Sequence, residues 1–160
     1  MSRTRAQTLV LVNWKGVFYE RYQLDRHVTA LEGANGAGKT TVMIAAYVVM
    51  LPDLGRLRFT NLGEGEATGG DRGIWGRLGT EGHLAYAWVR FRLPDGSSRL
   101  FGVQLRKGAE PTVELKHLSI RGLPDEVPLQ EALLQHLPTT GEDLVPELDA
   151  LRGEVASCGG

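Results

Sequence analysis

Gly33-Ala34-Asn35-Gly36-Ala37-Gly38-Lys39-Thr40 fits the pattern G-x-x-x-x-G-K-[ST], and its reading decides the rest of the chain. The chemistry requires these residue types. Glycines let the backbone curl so that successive N–H groups point inward at phosphate oxygens, where a side chain would block the approach. Lys39 brings a compact positive charge to the β- and γ-phosphates. The hydroxyl of Thr40 is a ligand for the Mg²⁺ that bridges them. A helix opening near Gly38 adds the positive end of its dipole. In a chain of this composition a chance match to the pattern has a frequency of roughly 1%, so the motif is read as a nucleotide site.

The motif needs a strand before it and a helix after it. Val28–Leu31 reads as that strand, and Lys39–Leu51 as that helix, ended by Pro52. The helix is apolar almost all round, from Val42 to Met50, which predicts burial in the domain centre. Upstream, Ala6–Trp14 and Val17–Leu24 read as strands joined at Lys15-Gly16 into a hairpin. Downstream, residues 55–80 read as a long loop with short elements. His83–Leu93 and Arg99–Arg106 form a second hairpin around Pro94-Asp95-Gly96, and Thr112–Ile120 adds a strand. Pro128–Leu137 reads as a short helix, and the acidic last twenty residues as a helix or a frayed end. The expected division is 1–137 as the folded unit and 138–160 as an acidic C-terminal segment. The fold class is α/β: a mixed sheet wrapped on the loop's helix, with an antiparallel portion from the hairpins.

A length of 160 residues suffices for one domain with a real core. The net charge of −1 carries no information about nucleic acid, but its distribution does. Positions 56–107 hold nine basic and five acidic residues, whereas 108–160 hold three and ten. The single cysteine, Cys158, excludes an internal disulfide framework. His27, His83, His117 and His136 are scattered and read as surface or structural residues. Trp14, Tyr19, Trp75 and Trp88 read as core rather than base-stacking platforms. No apolar run is long enough to span a bilayer, the longest being Val42–Leu51, and the expected location is the cytoplasm, associated with the nucleoid.

Hydrolysis needs an acidic residue at the end of a second apolar strand. The nearest approach, Val48–Asp53, lies at the end of the loop's helix and contains Pro52. Thr68-Gly69-Gly70 only imitates the signature segment with which cassette ATPases close over a partner's nucleotide. The catalytic half is therefore missing from this sequence, and a binding module without turnover is one reading. A small-molecule kinase is another, but no aspartate is placed for it near a strand end.

Leu31 through Thr41 resembles the Walker A loop of SMC-type ATPases. The flanking segments Asn13-Trp14-Lys15-Gly16, Tyr22–Arg26, Leu51–Leu54 with Arg58–Asn61, Ala67–Gly73 and Ile120–Pro124 resemble the N-terminus of MukB-type bacterial condensins. The similar JetC subunit of Wadjet plasmid-defence systems fits as well, and the residues do not separate chromosome organisation from defence. The resemblance, over about residues 9–125, implies a P-loop NTPase fold, the N-terminal half of a split SMC head. The C-terminal half of such a head returns after a very long coiled coil. It implies ATP and Mg²⁺ as cofactors. It implies a second head, a kleisin-type subunit and DNA as partners, and a chain that is a fragment or a truncated product. Gly33, Ala34, Asn35, Gly36, Ala37, Gly38, Lys39, Thr40 and Thr41 are then the nucleotide residues, with Thr40 on the metal. Lys15 matches a basic residue that reaches the phosphates in related heads. Arg56 and Arg58 stand where such heads present cations to DNA or to the partner's nucleotide, with Arg72 and Arg77 as weaker candidates. Gln104 is a candidate Mg²⁺-sensing glutamine, with an exposed strand residue as the plainer expectation.

Overall fold

The computed structural model describes residues 3–14, 17–24, 27–33, 38–51, 53, 74–79, 81–110, 112–122 and 148–157. The described residues form five strands: β1 (Arg5–Trp14), β2 (Val17–Gln23), β3 (Leu84–Arg92), β4 (Ser98–Lys107) and β5 (Val113–Arg121). They make one sheet in the order β2-β1-β3-β4-β5. Among the described residues two helices accompany it, α1 (Lys39–Met50) and α2 (Leu148–Ser157), with a 3₁₀ turn at Trp75–Arg77.

Every pairing in this sheet is antiparallel, which corrects the expected mixed sheet. A parallel pairing would require the segment before the loop to enter the sheet. Residues 28–31 form no strand, contrary to expectation, and Val28 is 77% exposed. A strand exists only beside another strand. The places next to β1, β3 and β4 are already taken, and this segment pairs with neither edge strand, β2 nor β5. Leu31 alone packs against the core.

The burial pattern explains the sequence pattern. β1 lies between β2 and β3 and is buried without a break from Thr8 to Trp14, so Leu9-Val10-Leu11-Val12 is a continuous apolar run rather than an alternating one. The two edge strands alternate loosely, with mostly polar side chains outward and Phe18 exposed among them. Two irregularities in β1 reset which side its residues face. The ladder to β3 shifts between Ala6 and Thr8, leaving Gln7 as an extra residue. Ala6 and Leu9 therefore share the α1 side. Asn13 takes a left-handed conformation with φ 57°, which asparagine tolerates. Its Nδ2 donates to Leu84 O at 2.7 Å, and Trp14 swings to the α1 side with its Nε1 donating to Tyr86 O at 2.9 Å.

Each sheet face carries a core. Leu9, Leu11, Ala85, Ala87, Val89, Val103 and Leu105 meet Val42, Ile44, Ala45, Val48 and Val49 of α1. On the opposite face Val10, Val12, Leu84, Tyr86, Trp88, Leu100 and Ile120 pack together with Val155 of α2. The expected burial of α1 on all sides is corrected. Its sheet-facing side is buried, while Met43, Tyr47 and Met50, with Leu51 beyond its end, are about half exposed. Spacings of three and four residues put these side chains on one stripe. No described helix is long and apolar enough to cross a membrane.

Candidate functional site

Gly38 precedes α1 in the left-handed region, φ 82°, a conformation that favours glycine. The helix start has no side-chain cap and no acidic residue in its first turn. Its orphan N–H groups, and the partial positive charge they carry, are thus not neutralised by Asp, Glu or a capping hydroxyl. The first turn is instead Lys39-Thr40-Thr41, and the Val42 N–H donates to Gly38 O at 3.1 Å.

Lys39 Nζ donates back to Gly33 O. Fully extended, six residues would span roughly 20 Å, whereas Gly33 and Lys39 lie within the reach of one lysine side chain. Gly33 and Thr40 are exposed, Gly38 and Lys39 are partly so, and Thr41 is buried at 7%. The start of the helix therefore opens to solvent, with a cation and a hydroxyl beside it. In chemical terms this is an uncapped helix start with an ammonium beside it, suited to an oxyanion. Ala34, Asn35, Gly36 and Ala37 lie outside the described residues, as do Lys15, Arg56, Arg58 and Arg72.

Arg77 is half-buried in the 3₁₀ turn, beside a pinned segment. Leu78 bridges to Trp14, Lys107 Nζ donates to Gly79 O at 2.9 Å, and the same ammonium sits 3.8 Å from the centre of the Trp75 ring. Trp75 Nε1 donates to Gly108 O at 2.8 Å. Sequence reasoning passed over Lys107. A lysine ending a strand reads as solvated, and its burial depends on Trp75, which folds over it from thirty-two positions upstream.

Gln104 is 2% exposed, which corrects the expectation of an exposed strand residue. It lies on the sheet face away from α1, where its Nε2 donates to the Tyr86 hydroxyl at 2.8 Å. Burial pushes the Tyr86 hydroxyl up to about 12, with the Gln104 hydrogen bond and the Arg106 charge opposing the rise. Among the described residues, no three His, Cys, Asp or Glu side chains gather as a metal site.

The family model described as MukB N-terminal matches residues 1–160.

Proposed function

The chain belongs to the MukB N-terminal family of condensin-like SMC heads, and from that premise we propose that it is the ATP-binding half of a split head ATPase with a P-loop fold. The observation that carries the proposal is the return of Lys39 to Gly33 across an uncapped, acid-free helix start. A triphosphate bound there would meet the backbone N–H groups of residues 33–41 and the Lys39 ammonium. Thr40 would supply a hydroxyl to Mg²⁺. Lys15 would approach the phosphates from the β1–β2 connection. Arg56 and Arg58 are the proposed cations toward DNA.

Turnover requires an acid that this sequence does not place at a strand end. In the proposed assembly the C-terminal half of the head supplies it, a second head closes over the nucleotide, and a kleisin-type subunit bridges the two. DNA organisation in chromosome segregation or in plasmid defence is the work to which hydrolysis is coupled.

The test is nucleotide titration of the chain with a fluorescent ATP analogue and Mg²⁺. Lys39→Ala is expected to reduce binding beyond detection, and Thr40→Ala to remove most of its dependence on Mg²⁺. Unchanged binding by the Lys39 variant refutes the assignment.

A further inference from the structure

β1 changes partner at its last residue. Its ladder to β3 ends with Val12 opposite Tyr86. Asn13 then takes its left-handed conformation, and Trp14 forms an antiparallel bridge with Leu78 instead. On its other side Trp14 still pairs with Val17 of β2. Only Lys15 and Gly16 separate that pair in the sequence. The flanks of the β1–β2 connection are thus set by Trp14, which is held from two sides. Its indole donates to Tyr86 O at 2.9 Å, and Trp14 and Leu78 are both 2% exposed.

Leu78 is held in turn from the end of β4. Lys107 is 9% exposed, and its Nζ donates to Leu78 O at 3.3 Å and to Gly79 O at 2.9 Å. An ammonium withdrawn from water needs replacements for its lost hydration. The two carbonyl oxygens take two of its three donors. The Trp75 ring, 3.8 Å away at its centre, turns the negative face of its π-system to the charge. Trp75 Nε1 donates to Gly108 O at 2.8 Å, which fixes the ring. The Gly82 N–H donates to Lys107 O at 2.7 Å. Side chain and backbone of one lysine therefore grip the segment at 78–79 and again at 82. An apolar residue at 107 could fill the space but could bond neither carbonyl.

We propose that Lys107 is a positioning residue for the nucleotide site: it holds Leu78, Leu78 holds Trp14, and Trp14 fixes where the connection carrying Lys15 leaves the sheet. The inference rests on the reading of Lys15 as the basic residue that approaches the phosphates from that connection. A long, flexible side chain gains from fixed flanks. The positions open to its ammonium are narrowed before the ligand arrives, so less conformational entropy is lost on binding. Lys107 directs its own donors at Leu78 and Gly79, so its part is to place the connection rather than to touch the ligand. Ile74 and Leu78 also belong to the core that carries Val42 and Ile44 of α1. That is a second route from the clamp to the loop, and the experiment separates the two.

The test is a double-mutant cycle on the affinity for a fluorescent ATP analogue with Mg²⁺, in variants that urea unfolding shows to be folded. Lys107→Met keeps the apolar stem and removes the charge. It is expected to weaken binding at least about five-fold, within the range by which contacting residues couple. Lys15→Met is expected to weaken binding as well. In the Lys15→Met background, Lys107→Met should cost nothing further, because the clamp acts through that residue. A purely structural role, or action through α1, would give the same fold-loss in both backgrounds, and that additive result overturns the proposal. So does unchanged affinity in either single variant. Where Lys107→Met does not fold, Trp75→Phe carries the test. It keeps a ring over the ammonium, loses the bond to Gly108, and should show a smaller loss with the same dependence on Lys15. Unchanged binding in Lys39→Ala would remove the nucleotide reading itself. Lost binding in Lys39→Ala together with an additive cycle would remove this proposal alone.

Discussion

Tyr86 and Gln104 show what one buried pair contributes. The tyrosine hydroxyl is the acceptor for Gln104 Nε2 at 2.8 Å, and both residues are almost fully enclosed. Replacing Tyr86 with Phe leaves a buried amide without that acceptor, at a cost of about 1–3 kcal/mol at neutral pH. The pH dependence has a definite sign. The hydroxyl is raised to about 12 in the fold, against about 10 in an unfolded chain. The stability it provides is complete below about pH 10 and declines as pH climbs toward 12. The slope reaches about 1.4 kcal/mol per pH unit. Urea unfolding of wild type and Tyr86→Phe between pH 8 and 12 checks this: the gap between them should narrow above pH 10. The residues of the loop motif were legible because their chemistry is local and their spacing fixed. Gln104 was not, because strand alternation gives the face of a residue but not whether anything covers that face. The partner of Gln104 there, the Tyr86 hydroxyl, stands on the neighbouring strand eighteen positions upstream and faces the same core.

The strands were read to within one or two residues wherever turn and alternation agreed. The second hairpin, expected at His83–Leu93 and Arg99–Arg106, forms at Leu84–Arg92 and Ser98–Lys107. The failures arose where an element depends on neighbours it does not name. Among the described residues, Val28–Leu31 has strand composition but pairs with no strand, and α1 has apolar residues all round but a sheet on one side. Inside β4, Gly102 is opposite Trp88, and a Cβ there would come within 2.6 Å of Ala87 O and 2.7 Å of Trp88 Cβ. Backbone and a packed indole cannot yield cheaply, so Gly102→Ala should destabilise the fold by about 1–3 kcal/mol, read as a lowered urea midpoint. The exposed stripe of α1 predicts the opposite behaviour. Met43→Glu with Tyr47→Lys removes nothing from the described core and should change the stability of the chain by no more than about 0.5 kcal/mol for each substitution. The same pair should block association with the C-terminal half of the head, measured by co-purification, if that half covers the stripe. Association at wild-type strength would place the contact elsewhere.

At the scale of the whole molecule, three features have one proposed remedy. The helix carrying Lys39 leaves Met43, Tyr47 and Met50 half exposed. Residues 28–31, directly before the loop, join none of the five described strands. The sequence places no acid at a strand end to polarise water. A second lobe that added strands beside 28–31, laid an apolar surface on α1 and presented a carboxylate near Thr40 would answer all three. Such a lobe would make turnover a property of the assembly, with this chain contributing binding. The expected outcome is therefore ATP hydrolysis near background for the chain alone. It should rise by at least about a hundred-fold when the C-terminal half is added, the scale of one positioned acid–base group. Lys39→Ala should abolish the increase. Hydrogen exchange at residues 28–31 should slow on mixing, as a segment outside the sheet acquires a ladder. Full turnover by the chain alone would mean that the acid is already within it, and the division of labour between two halves would have to be abandoned.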